Sequence, residues 1–280
     1  MPRDAPLVGQ MPVALAWPPL HSMYKDAAMS DAITPNPYAA PASNLQQTTG
    51  DQVPSIEEAL ARGYDFSIGE LISESWNRVK GTKGIIIGGF LVFYVVLMLA
   101  TLILGGVIGI FGALSENLFL TFVGEIVISL LASALAYPFM AGINMVGIRR
   151  AADQPISFNE IFSHFGRTVP LVITAVVMML LIYLGMFLLL IPGIYLGVAY
   201  LLAIPLVVER GLSPWQALEA SRKAITQHWF KVFGLFLLLG LIVMVSAIPL
   251  GIGLVWTIPL MVIAMGVLYR TIFGVLPAAQ

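Results

Sequence analysis

Apolar residues fall into four long runs, at about 85–112, 118–148, 168–208 and 230–276, divided by short polar stretches. A helix rises about 1.5 Å per residue and the hydrocarbon core of a bilayer is about 30 Å thick. The 41 residues from Thr168 to Val208 would therefore extend about 61 Å, and must cross twice. Pro192-Gly193 is the natural reversal, because Pro suits a first helical turn and Gly a helix end. The last run needs the same treatment near Pro249-Leu250-Gly251-Ile252-Gly253. The pattern predicts an all-α membrane protein with six transmembrane helices over residues 64–276.

The cations test this count independently. All 14 Lys and Arg lie in the leading segment (Arg3, Lys25, Arg62), before span one (Arg78, Lys80, Lys83), between spans two and three (Arg149, Arg150, Arg167), between four and five (Arg210, Arg222, Lys223, Lys231), or near the end (Arg270). None lies in the other three connections. Basic loops stay in the cytoplasm, so both termini are expected there.

Each expected hairpin is preceded by a similar polar element. The three are Ser67-Ile68-Gly69-Glu70, Ser157-Phe158-Asn159-Glu160 and Ser213-Pro214-Trp215-Gln216. All fit the capping box, in which the Ser oxygen accepts from the backbone three residues on and the Glu or Gln reaches back. Apolar positions follow at helical spacing: Ile68, Leu71, Ile72, Trp76 and Val79; then Phe158, Ile161, Phe162, Phe165 and Val169; then, more loosely, Trp215, Leu218, Ile225 and Trp229. These read as elbow helices lying in the interface, which makes the fold three elbow-plus-hairpin repeats.

Residues 1–63 differ in character. Prolines at 2, 6, 12, 18, 19, 35, 37, 41 and 54 interrupt a Pro/Ala-rich segment that buries too little apolar surface to offset its ordering entropy, so a disordered cytoplasmic tail is expected. Pro12, Pro18 and Pro19 argue against a signal peptide over Leu7 to Leu20. Met29-Ser30-Asp31 has the form of an ordinary start, leaving open whether residues 1–28 are translated. Composition agrees with the span count: 59% of residues are hydrophobic and 10% charged, against about a quarter charged in soluble domains. With no cysteine, disulfides, thiolate metal sites and cysteine nucleophiles are excluded. No clustered basic and aromatic footprint for nucleic acid occurs.

The stretch LLLIPGIYLGVAYLLAIPLVVERGLSPWQALEASRKAITQHWFKVFG (residues 188–234), with Asp65-Phe66-Ser67, Ala141-Gly142 and Phe158 to Phe165, resembles the integral membrane domain attached to some bacterial glycerophosphoryl diester phosphodiesterases. It is similar also to the related stand-alone YciC-like inner-membrane proteins. The resemblance covers about three quarters of the chain and implies a six-span helical domain, with no established activity for most stand-alone members. No soluble phosphodiesterase domain is present, so hydrolysis is not carried over.

Several polar residues stand out. Glu125 lies in an apolar run, but its 24-residue separation from Arg149 spans about 36 Å of helix, which places it at the far interface. Asn144, near the cytoplasmic end of span two, is expected to bond another helix. Glu209 and the cations Arg149, Arg150, Arg210, Arg222 and Lys223 fall at one level. Two readings stay open there: an ion-pair cluster tying elbow to span, or a lipid-headgroup site. His164 and His228 lack ligands at metal spacing, and His228 is expected to be interfacial. Gly193/Gly197 and Gly105/Gly109 are small-xxx-small pairs suited to close helix packing. Pro138, Pro205, Pro249 and Pro259 are expected to kink spans.

No Gly-rich phosphate loop, nucleophile elbow or metal set is present, so no catalytic residues, cofactor or metal are expected. Membrane lipids and other membrane proteins are the expected partners. The leading expectation is a non-enzymatic protein that binds or organises lipid at a basic cytoplasmic collar for envelope maintenance. Alternatives are a transporter or channel for a small solute or lipid, and a scaffold subunit of a larger complex.

Overall fold

The structure, a computed structural model, describes residues 53–115 and 117–277; the tail expected over residues 1–52 lies outside the described residues. The described chain is helical throughout: α1 (Ile56–Arg62), α2 (Ile68–Arg78), α3 (Lys83–Ser115), α4 (Leu118–Ala151), two 3-10 turns (Phe158–Phe162 and Phe165–Arg167), α5 (Thr168–Leu188), α6 (Leu190–Ala199), α7 (Ala203–Glu209), α8 (Pro214–Gln227), α9 (Trp229–Ala247) and α10 (Leu254–Phe273). Six segments are long and apolar enough to cross a membrane: Lys83–Ile110, Leu118–Ala151, Phe158–Leu188, Leu190–Glu209, Trp229–Ala247 and Leu254–Phe273.

Helices α3 and α4 form an antiparallel hairpin. Gly89 lies beside Ile143 near its base, while Gly124 meets Ile108 and Gly112 meets Thr121 toward its tip. Asn117 starts α4 by accepting from the amides of Phe119 (3.0 Å) and Leu120 (3.2 Å). Leu102, Ile103, Val107, Ile110, Phe122 and Glu125 are exposed along this arm. The large apolar side chains there are the surface that lipid, not water, would cover.

The core lies where α4 passes α10. Ile143, Val146 and Ile148 of α4 and Ile263, Leu268, Tyr269 and Phe273 of α10 have no appreciable exposure. Two glycines set the approach: a Cβ on Gly266 would stand 2.3 Å from the Gly147 carbonyl oxygen, and one on Gly147 would stand 2.5 Å from that of Val262. Gly142 similarly admits the backbone of Ile161 at 2.4 Å. The expected small-xxx-small pairs do not do this work. A Cβ on Gly105, Gly109 or Gly197 would meet nothing within 4 Å beyond its own helix, and of the four only Gly193 is tightly packed, against Met186.

Other expectations are corrected in detail. The second hairpin reverses at Leu189, whose backbone is extended (φ −158, ψ 134), and Pro192 sits in the first turn of α6, where its missing N–H costs no helical bond. Residues 53–63, assigned to the tail, are ordered: Ser55 and Glu58 close a reciprocal capping box (2.8 and 3.2 Å) at the start of α1, and Ala59 is buried. The second elbow is two 3-10 turns rather than an α-helix, and Ser157 makes no capping bond. Ser67 accepts from the Glu70 amide at 3.5 Å with no return bond. At Ser213 the capping box forms as expected, with the Gln216 Oε1 accepting from the backbone N–H (3.2 Å) and also from the hydroxyl (2.9 Å).

Gly266→Ala and Gly147→Ala should each lower stability by about 1–3 kcal/mol, because backbone must move to admit a methyl group. Gly105→Ala should leave it unchanged or slightly raised. Thermal melts of detergent-solubilised protein distinguish these outcomes, and equal effects at all three positions would refute the packing assignment.

Candidate functional site

Spans four and five are joined by a helix that turns back. α8 leaves the end of α7 and runs along α6–α7 in the reverse direction. Ser221 reaches the gap between α6 and α7, donating to the Ala199 carbonyl (2.7 Å) and accepting from the Leu202 amide (3.1 Å). Further on, Thr226 bonds the Tyr195 hydroxyl (2.6 Å), and Trp229 Nε1 donates to the Tyr195 carbonyl (3.1 Å). The gap at Tyr200–Leu202 follows from Pro205, which has no N–H to give the Leu201 carbonyl. α8 buries Ala217, Leu218, Ala220, Ser221, Ala224 and Ile225, and turns Glu219, Arg222 and Lys223 outward.

At the far end of α8 lies an apolar groove of about 640 Å³. Ile191, Ile194 and Tyr195 of α6 face Trp229 and Phe230 at the start of α9, with His228 and Lys231 at the margin. Trp229 is held by stacking on Phe233 (5.0 Å, 7° between planes) as well as by its bond to Tyr195. Phe230 is 83% exposed. His228 joins α8 to α9, and its ring stands edge-on to Tyr64 at 5.1 Å. Lys231 pairs with Asp65 and so also borders a second, polar hollow of about 710 Å³, lined with Asp65, Ser67 and Glu70. The Lys231 ammonium, followed by the Phe66 amide, holds the Asp65 carboxyl below its ordinary range. Burial pushes the Tyr64 phenol up, and its hydroxyl finds no partner among the described residues.

The cations named from sequence do not converge on one open patch. Arg149 and His164 each approach Glu160 Oε1 at 3.3 Å, which corrects the expectation for His164: a carboxylate does stand one helical turn before it, and it is taken up by this ion-pair cluster. Arg150 donates to the carbonyls of Arg78 (3.1 Å) and Lys80 (2.9 Å). Arg210 pairs with Glu209 (2.7 Å), with both side chains nearly buried, and donates to the carbonyls of Pro54 (3.0 Å) and Phe273. Arg222 chelates Glu219 (2.9–3.1 Å), with Lys223 at 3.4 Å. Glu209 is the centre of a knot, accepting also from the Tyr269 hydroxyl and the Leu276 amide, each at 2.6 Å. Asn144 makes no side-chain hydrogen bond among the described residues. It lines a cavity of about 210 Å³ beside Tyr137, Tyr200 and Leu201, at the break in span four.

No family profile, curated protein or solved structure matches this chain. Among the described residues no group of three or more His, Asp or Glu could hold a metal ion. Sequence reasoning missed the groove because Ile191, Ile194 and Trp229 belong to different predicted elements. The signal that could have found it is the aromatic pair Trp229-Phe230 directly before Lys231.

Ser221→Ala should cost about 1–3 kcal/mol, because it strands the Leu202 amide in a buried gap; Ser221→Thr tests whether a hydroxyl alone suffices. Glu209→Ala should cost about 3–5 kcal/mol by leaving Arg210 buried and unpaired. Arg78 donates to Asp153, and holds that carboxyl below its ordinary value of 3.8. A carboxyl whose folded pKa is depressed stabilises fully above its unfolded pKa, and that contribution is lost as pH falls through the folded value. The wild type should therefore melt above Asp153→Asn at pH 6, and the gap should close toward pH 3. A gap independent of pH would refute the linkage.

Proposed function

We propose that the chain is a non-enzymatic multi-pass protein of the bacterial inner membrane, with both termini cytoplasmic, that binds a membrane amphiphile in the groove between α6 and the start of α9. The observation carrying this reading is the groove itself: a 640 Å³ apolar trough whose aromatic lip, Trp229 and Phe230, passes directly into charged residues. Trp and Tyr favour the headgroup level, where one edge of a ring is apolar and the other wet. An acyl chain lying against Ile191, Ile194 and Phe230 would leave its headgroup beside Lys231. The reading moves the lipid site away from the arginines, whose donors are engaged within the protein. It takes from the resembled family its architecture alone.

A second reading rests on a separate observation. A membrane helix broken at Tyr200–Leu202, with Asn144 and Leu201 lining a small cavity, has the form of a solute site in transporters built on discontinuous helices. Flux of small polar solutes into proteoliposomes that is abolished by Asn144→Leu would favour it over the first.

Native mass spectrometry of gently extracted protein should show lipid retained on the wild type. Phe230→Ala, at an exposed position that folding tolerates, should reduce the retained fraction about tenfold, in line with loss of one aromatic contact. Absence of retained lipid, or retention unchanged by Phe230→Ala and Ile194→Trp together, would overturn the proposal.

A further inference from the structure

Resting on the groove as a lipid site, we infer that its preferred occupant is a phospholipid whose headgroup carries both a phosphate and a primary amine. Lys231 belongs to both openings, standing at the end of the apolar groove and at the edge of the polar hollow. An amphiphile with its chain in the first must place its headgroup in the second. The charges of that hollow are one ammonium, from Lys231, and two carboxylates, from Asp65 and Glu70.

Asp65 is satisfied by Lys231. Glu70 is exposed, and its carboxylate has no hydrogen bond or ion pair among the described residues. A headgroup phosphate meets Lys231, while a headgroup ammonium meets Asp65 and Glu70. The Lys231–Asp65 pair is exposed on both sides, 45% and 70%, so it opens readily when each partner gains a new counter-ion. A phosphoglycerol headgroup brings an anion and no cation, and leaves both carboxylates facing its phosphate. A choline headgroup brings a cation without an N–H, so it cannot donate to the carboxylates. The primary amine satisfies charge and hydrogen bonding together.

The test is native mass spectrometry of the full chain reconstituted in vesicles of equal parts phosphatidylethanolamine, phosphatidylcholine and phosphatidylglycerol with matched acyl chains. The wild type should retain phosphatidylethanolamine about tenfold over each of the others. Asp65→Asn with Glu70→Gln should abolish that preference while leaving total retention measurable, and Lys231→Met should reduce retention of all three. Equal retention of the three lipids, reduced by Phe230→Ala, would overturn the headgroup assignment and leave the groove reading standing. Preference for phosphatidylglycerol, or an ethanolamine preference unchanged in the double variant, would also overturn it. No retained lipid of any kind would overturn both.

Discussion

The structure depends on how the carbonyl groups at helix ends are satisfied. The last turn of every α-helix carries carbonyls with no intrahelical donor, and where several helices finish together little water reaches them. Here the donors are arginines. Of the eight described arginines, six bond main-chain carbonyls: Arg62 at Ile272, Arg78 at Arg150, Arg150 at Arg78 and Lys80, Arg167 at Val207, Arg210 at Pro54 and Phe273, and Arg270 at Ala151. The accepting groups close α2, α4, α7 and α10, follow α2 (Lys80) or precede α1 (Pro54). A guanidinium offers five donors in a fixed fork, and its charge suits the negative end of a helix dipole. The remaining two, Arg149 and Arg222, face Glu160 and Glu219.

That accounting changes what a basic collar means. Clustered arginine at one end of a membrane bundle invites an electrostatic reading directed outward, toward anionic lipid. Here most of these charges are engaged within the protein, six of them by its own backbone. Arg62 and Arg167 bond carbonyls even though they are exposed, whereas the exposed Lys80, Lys223 and Lys231 bond no main-chain carbonyl among the described residues, and Lys83 lies over the Trp256 ring at 4.8 Å. The division follows from chemistry, since an ammonium is a strongly hydrated point charge and a guanidinium is a weakly hydrated planar fork.

The number of apolar helices was legible in the sequence because hydrophobic run length and cation placement report it independently. Less was legible wherever two backbones meet. Gly147 and Gly266 have no distinguishing spacing, and Gly105 and Gly109 have a suggestive spacing but no neighbour beyond their own helix. Ser221 looks like an ordinary polar residue on an elbow until Pro205, sixteen positions earlier, is seen to open the gap that it fills. The three Ser-x-x-Glu/Gln matches were equally good as text. They ended as a single bond, no bond and a closed capping box, because tertiary contacts decide whether a cap forms.

The knot around Glu209 and Arg210 bears on timing. Arg210 holds the carbonyls of Pro54, at the front of the described chain, and Phe273, near its back, while Glu209 holds the Leu276 amide. A ribosome has released Pro54 long before it reaches Phe273. The helices made before α10 therefore wait with several carbonyls, and with the Glu209–Arg210 pair, short of partners. Sequence separations of this size slow folding, and the interval before the last turn emerges is when chaperones or the insertion machinery would have most to shield.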